Sequence, residues 1–169
     1  DAKSLACHPA STTHRQLAGE ELAAAGAMGP GFSLHSDIVA PYILHYGSEA
    51  LKQEWLPQMA RGEKIGAIGM TEPAAGSDVQ GIKTTAIRDG DDFVINGQKI
   101  WTSTAHEADM IFCLVRTEPD KPKHEGISYL IFSMKTPGIE VRPLTTMTGH
   151  AEFNEVFFTD VRVPKTQIV

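Results

Sequence analysis

Thr84-Thr85-Ala86-Ile87-Arg88-Asp89-Gly90-Asp91-Asp92-Phe93-Val94-Ile95-Asn96-Gly97-Gln98-Lys99-Ile100-Trp101-Thr102 carries the fold decision. Thr84 to Arg88 and Phe93 to Asn96 are β-prone segments on either side of Asp89-Gly90-Asp91-Asp92, so they read as a hairpin. Asn96-Gly97 reads as a second tight turn, because both residues tolerate positive φ, with Ile100 to Thr102 as the strand beyond it. The pattern continues downstream through Met110 to Arg116, Ile127 to Ser133, Ile139 to Arg142 and Glu152 to Thr159. Pro119 to Glu125 is a polar loop and Thr136-Pro137-Gly138 a turn. Upstream, Ile65, Ala67 and Gly69 alternate along one further strand. Seven or eight short strands with regular punctuation predict an antiparallel β-barrel or sandwich.

Before Lys64 the period is helical. Gln16 to Met28 is rich in Ala, Leu and Glu, and Gly29-Pro30-Gly31 stops it. Ser36 to Tyr46 forms a second stretch, with Ile38, Tyr42 and His45 on one face, Val39, Ile43 and Tyr46 beside it, and His45 as a packing residue. Pro41 kinks it or opens a fresh turn, and Gly47 ends it. Ser48 caps a third helix whose buried stripe is Leu51, Trp55, Leu56 and Met59; Pro57 restarts it, and Arg61-Gly62-Glu63 ends it. The fold class is therefore α+β: a loosely ordered tail over residues 1–15, a helical segment over 16–63, and a β-barrel over 64–169.

Bulk properties narrow the function. With 169 residues, 41% hydrophobic and 21% charged, the chain supports a packed core. A net charge of -6 argues against a grip on nucleic-acid phosphates. The longest apolar run, Met110 to Val115, is too short to span a bilayer, and no segment reads as a signal peptide. Cys7 and Cys113 make no disulfide framework, and Cys113 reads as a buried small hydrophobe. These features fit a soluble protein of a reducing compartment. A first residue Asp1 and a last residue Val169 read as a piece of a longer chain.

Chemistry concentrates in two stretches. Met70-Thr71-Glu72-Pro73-Ala74-Ala75-Gly76-Ser77-Asp78 is a strand end breaking into a loop of hydroxyls and small residues. Lys99-Ile100-Trp101-Thr102-Ser103 adds a large aromatic and two hydroxyls. Backbone N–H groups, O–H groups and a flat ring suit a planar, polar-edged cofactor that gains negative charge on reduction. These motifs, with Asn96-Gly97-x-Lys99-x-Trp101, Pro137-Gly138-Ile139, Phe153-Asn154-Glu155-Val156-Phe157-Phe158 and Val161-x-Val163-Pro164, resemble the acyl-CoA dehydrogenase family in order and spacing from about residue 17 onward. Pro41-Tyr42-Ile43-Leu44-His45-Tyr46-Gly47 and Gln53-x-Trp55-Leu56-Pro57 resemble the last helices of that family's N-terminal domain.

The resemblance implies an FAD flavoprotein of three domains that oxidises an acyl-CoA thioester to trans-2-enoyl-CoA. A carboxylate takes the α-proton, and the β-hydrogen leaves as hydride to flavin N5. It also implies an electron-transferring flavoprotein as acceptor, a homo-oligomer, and a bacterial cytoplasm or mitochondrial matrix. It assigns Met70, Thr71, Gly76, Ser77, Trp101, Thr102 and Ser103 to cofactor contact, and Ser77 also to substrate. Thr71 would meet the N1–C2=O edge, Trp101 the flavin ring, and Ser103 stands where the family places a Thr whose hydroxyl meets N5. Thr102 departs from an apolar family position. Plain alternatives stand beside each: Thr71 as a strand-end cap, Ser77 as a turn serine, Trp101 as a core residue.

Lys99 reads as a strand-surface lysine, and Asp78 as a cap for the next segment. Neither Glu72 nor Glu155 reads as the catalytic base, which the family draws from a C-terminal helical domain. No catalytic residue is therefore assigned in this chain, and the isolated piece is expected to be inactive and to hold FAD weakly. The seven histidines show no ligand spacing, so no metal site is proposed. No phosphate loop opens a helix and no nucleophile elbow appears. Two other readings of the scaffold remain: a non-enzymatic β-barrel interaction module, and an acyl-CoA oxidase or flavin monooxygenase. Acyl chain length is not legible.

Overall fold

The computed structural model describes residues 9–26, 33–122 and 124–169. Helix α1 spans Pro9–Ala24, a π-helical segment Ser33–Val39, α2 Ala40–Tyr46 and α3 Glu49–Ala60. Helix thus begins at Pro9, seven residues before Gln16, and the tail expected over residues 1–15 does not hold from Pro9 onward. A proline suits a helix start, where its missing N–H would find no partner anyway. Residues 1–8, Cys7 and the stop at Gly29-Pro30-Gly31 lie outside the described residues.

Of the two neighbouring apolar rows in the second helical stretch, the structure buries the one carrying Val39 and Ile43, an i,i+4 pair. Val39 and Ile43 are fully buried, whereas Ile38, Tyr42 and His45 are exposed. The chain from Ser33 to Val39 is wound as a π-helix, and ordinary α winding resumes at Ala40. His45 is exposed, with its ring edge-on to Tyr46 and centroids 6.4 Å apart. Pro41 sits in the first turn of α2, and Gly47 ends it in extended backbone. In α3 the Ser48 hydroxyl accepts the Leu51 N–H at 3.3 Å, and Leu51, Trp55, Leu56 and Met59 are buried. Pro57 does not restart this helix; it lies inside a continuous Glu49–Ala60, close enough to the C-terminus that the turn survives the missing donor.

Seven strands follow among the described residues: β1 Gly66–Gly69, β2 Thr85–Asp89, β3 Asp92–Ser103, β4 Met110–Arg116, β5 Ile127–Ser133, β6 Ile139–Leu144 and β7 Phe153–Pro164. They form one curled sheet in the order β1-β4-β2-β3-β7-β6, with β5 also paired to β4. The sheet is mixed: β1 runs parallel to β4, and β2 touches β4 at one parallel bridge, Thr85 to Arg116. The other ladders are antiparallel, as the hairpin pattern predicts.

The hairpin at Asp89 to Asp92 forms as expected, with Gly90 at φ 65°. The second turn does not. Asn96-Gly97 lies inside the unbroken twelve-residue β3, at a register shift against β7 between Ile95 and Gly97. Gly97 takes φ 150°, and a Cβ there would stand 2.5 Å from Thr84 Oγ1 and 2.7 Å from Thr84 Cα. The glycine thus serves a bulge and a close strand crossing. Asn96 completes the bulge: its side chain donates to Asp160 Oδ1 at 3.0 Å and accepts the Asp160 N–H at 2.9 Å.

The apolar run in β4 is continuous because both faces are covered. Ile111, Cys113 and Val115 face the interior of the curl with Ile95, Leu130, Val156 and Val161. Met110 and Phe112 face the helices with Val39, Ile43, Leu51, Trp55 and Met59. Phe112 stacks on Tyr129 with ring centroids 4.1 Å apart. Each such side chain contributes about 1.5–3 kcal/mol by leaving water. His35 fastens helices to sheet: its Nε2 lies 3.2 Å from the Met59 carbonyl, and its Nδ1 accepts the Gly66 N–H at 3.1 Å. Those partners place the ring proton on Nε2.

Candidate functional site

The chain leaves β1 at Gly69 and turns sharply. Glu72 and Ala75 exchange backbone hydrogen bonds of 3.0 Å in both directions, with Pro73 and Ala74 at the tip. Just before this turn the Thr71 carbonyl accepts the Ile100 N–H at 2.9 Å. This bond brings Met70 and Thr71 alongside the stretch of β3 that carries Trp101 and Ser103.

Trp101 is 56% exposed and takes φ 60°, at a second register shift against β7 between Lys99 and Thr102. A bulky residue in left-handed backbone costs about 1–3 kcal/mol and persists where surrounding structure enforces it. Its indole meets Phe153 edge-on with centroids 5.9 Å apart. The bulge therefore turns the indole outward, and the core-tryptophan alternative fails. The Thr71 and Ser103 hydroxyls make no hydrogen bond to any described residue, unlike those of Thr84, Thr117 and Thr136. Two uncommitted hydroxyls and an outward aromatic face thus share one region of the sheet. That donor set fits the polar edge and flat face of a flavin.

The remaining candidates divide. Gly76 and Ser77 are exposed on the loop after the turn. Thr102 does not join the group. Its side chain is 1% exposed, its Oγ1 lacks a hydrogen-bond partner, and its carbonyl accepts Asn154 Nδ2 at 3.0 Å. Leaving a buried hydroxyl unpaired costs about 1–3 kcal/mol. The strand bulge sends this residue into the core where the pattern gives no hint of it. Asp78 precedes the 3-10 turn Val79–Gly81, but its side chain makes no capping bond.

The largest departure from the sequence reading is Lys99. It is fully buried, not a surface residue: Nζ lies 2.8 Å from Glu72 Oε1 and donates to the Met70 carbonyl at 3.2 Å. Glu72, 6% exposed, also accepts the Thr84 N–H on Oε1 at 3.0 Å and the Lys83 N–H on Oε2 at 2.6 Å. Burial pushes the Glu72 carboxyl up, but bonds from Lys99, Lys83 and Thr84 and the Lys99 charge outweigh it and hold it below the usual carboxylate range. Such a carboxylate is a poor proton acceptor. Glu155 accepts Gln98 Nε2 at 2.9 Å. Cys113 is buried, and burial pushes its thiol up to about 11. Among the described residues no cluster of His, Cys, Asp or Glu could hold a metal ion, and no helix is long and apolar enough to cross a membrane.

Comparison with known proteins places this chain in a family. Residues 67–161 match the model of the acyl-CoA dehydrogenase middle domain, and residues 3–63 that of the acyl-CoA dehydrogenase N-terminal domain. The chain belongs to the acyl-CoA dehydrogenase family, a family of oxidoreductases. The match reaches to residue 3, upstream of the motifs that begin near residue 17. The chain is 40% identical over 159 residues to acyl-CoA dehydrogenase IpdE1 of Mycobacterium tuberculosis, covering 94% of this chain and 41% of that protein. It resembles a chain in the crystal structure of the ChsE4-ChsE5 complex from Mycobacterium tuberculosis with a TM-score of 0.80 and 43% identity, over 86% of this chain and 38% of that one. A glutaryl-CoA dehydrogenase from Mycobacterium smegmatis in complex with FADH2 matches with a TM-score of 0.72 and 32% identity, over 80% and 34%. This chain therefore spans well under half the length of each of these relatives.

Proposed function

We propose that this chain forms the flavin-side wall of an FAD-dependent acyl-CoA dehydrogenase that converts an acyl-CoA thioester to the trans-2-enoyl-CoA. The observation that carries the reading is the pairing of uncommitted Thr71 and Ser103 hydroxyls with the outward indole of Trp101. When bound, FAD supplies the acceptor for the acyl β-hydrogen. Thr71 donates through its O–H and N–H to the cofactor edge that gains negative charge, with the Met70 backbone beside it. Ser103 donates a second hydroxyl, and Trp101 covers the ring and keeps water from it. Gly76 and Ser77 offer an exposed loop to the polar arm of the CoA ester.

The α-proton needs a carboxylate base, and neither Glu72 nor Glu155 is suited to that role. Glu72 is locked by three donors, and Glu155 is held by Gln98. The base is therefore proposed to come from polypeptide beyond these 169 residues. An electron-transferring flavoprotein as acceptor and a homo-oligomeric parent complete the proposal.

The test is spectroscopic. The parent polypeptide, purified and kept anaerobic, is expected to be yellow and to bleach when an acyl-CoA is added. A colourless preparation that takes up no FAD overturns the reading. Rapid oxygen consumption with acyl-CoA would assign an oxidase in its place.

A further inference from the structure

The buried Lys99–Glu72 pair has no part in the proposed chemistry, yet it lies directly behind Thr71. Lysine is almost never fully buried unless it is paired. Here each polar end is satisfied: Nζ reaches Glu72 Oε1 and the Met70 carbonyl, and the carboxylate takes Lys83 N–H, Thr84 N–H and Nζ. The lysine stem passes beneath Gly69, where an added Cβ would stand 3.4 Å from Lys99 Cγ and 3.0 Å from Ile111 Cδ1. Stability alone does not account for this arrangement, because well-packed apolar residues of similar volume do as well as a buried ion pair, or better.

What the pair adds is direction. The Met70 carbonyl is held by Lys99, the Thr71 carbonyl by the Ile100 N–H, and the Glu72 side chain by three donors. Three consecutive residues are thus pinned by polar bonds to β3 and to the chain entering β2. Thr71, at their centre, keeps its own hydroxyl uncommitted. We propose that Lys99 and Glu72 are positioning residues: a buried ammonium–carboxylate clamp that aims Thr71 at the flavin and, by being neutral as a pair, leaves that edge of the site without net charge. This rests on the flavin reading of the site.

Charge makes the proposal testable apart from simple loosening. Removing Lys99 leaves a carboxylate behind Thr71 and disfavours extra negative charge on the flavin; removing Glu72 leaves an ammonium and favours it. The experiment uses the FAD-loaded parent protein as wild type, Lys99→Met, Glu72→Gln and the double variant Lys99→Met/Glu72→Met. Both single variants are expected to bind FAD about tenfold or more weakly, since small misplacements of positioning groups are felt strongly. Their flavin reduction potentials are expected to move in opposite directions, more negative for Lys99→Met and more positive for Glu72→Gln. Potentials that shift the same way, or not at all, overturn the clamp.

If the single variants do not fold, the double variant decides. It is expected to fold, with a lowered melting temperature because the Lys83 and Thr84 N–H groups lose their acceptor, and to lose FAD affinity; full affinity would overturn the proposal. Amide exchange in the FAD-free protein judges the clamp without cofactor. Lys83, Thr84 and Ile100 amides should exchange faster once Lys99 is replaced, and unchanged rates refute it. A wild-type protein that takes up no FAD would sink the functional reading, while exchange still decides whether the clamp exists.

Discussion

Strand β4 and the turn from Met70 to Thr84 pack against each other, through Leu114 on one side and Ala75 and Ile82 on the other, yet they are held by different means. From Met110 to Val115, β4 is buried and apolar on both faces. The turn is fixed by a carboxylate, an ammonium and four named polar bonds. Apolar packing is non-directional: it decides that a strand is inside, and tolerates small rotations. Hydrogen bonds to charged groups are directional, so they fix where a backbone points. The molecule uses the first for mass and the second beside the hydroxyls proposed to meet cofactor.

Three measurements would break or sharpen that contrast. Phe112→Ala should have the largest effect, about 3–5 kcal/mol of lost stability in urea unfolding, since it empties a fully buried, stacked position. The folded fraction should bind FAD as before. A loss of affinity there would mean that the core also aims the site.

Acid should come next, and act on the turn. The Glu72 carboxyl sits below its ordinary value in the folded state, so the unfolded chain binds that proton first. Its stabilising contribution is full above the unfolded value of 4.5 and fades as pH falls through the lower folded one. Unfolding free energy should therefore drop between neutral and acid pH less steeply in Glu72→Gln than in wild type. Equal slopes would show that the carboxylate is not the acid-sensitive element.

Trp101→Ala should change stability least, within about 0.5 kcal/mol, because the side chain is largely outside the core. FAD affinity should fall roughly threefold to tenfold, the worth of one well-placed aromatic contact. A large stability loss with intact flavin binding would return Trp101 to a structural role.

Much of this contrast could be read before folding, and some of it could not. The β4 run, the Leu51–Met59 stripe and the Ser48 cap are written in residue type and spacing, because each depends on neighbours within one turn or one strand. The outward placing of Trp101 follows from a bulge that no local pattern signals. Thr102 turns into the core for the same reason. Which of the two apolar rows of the second helical stretch turns inward was set by Met110 and Phe112, which meet Val39 and Ile43 from the sheet.

By itself the sequence determined that helices precede a sheet, that the chain reverses at Gly90, and which hydroxyls and which indole are grouped in two short motifs. Tertiary structure decided what Asn96-Gly97 and Lys99 would become. Positive φ at Gly97 serves a turn or a bulge equally well, and the close crossing of Thr84, whose Oγ1 would stand 2.5 Å from an added Cβ, goes with the bulge. A lysine in a strand belongs at the surface unless a carboxylate waits inside, and Glu72 arrives from 27 residues away. Local conformational preference is a property of a few adjacent residues, whereas the partner that makes a buried charge tolerable exists only once distant segments have met.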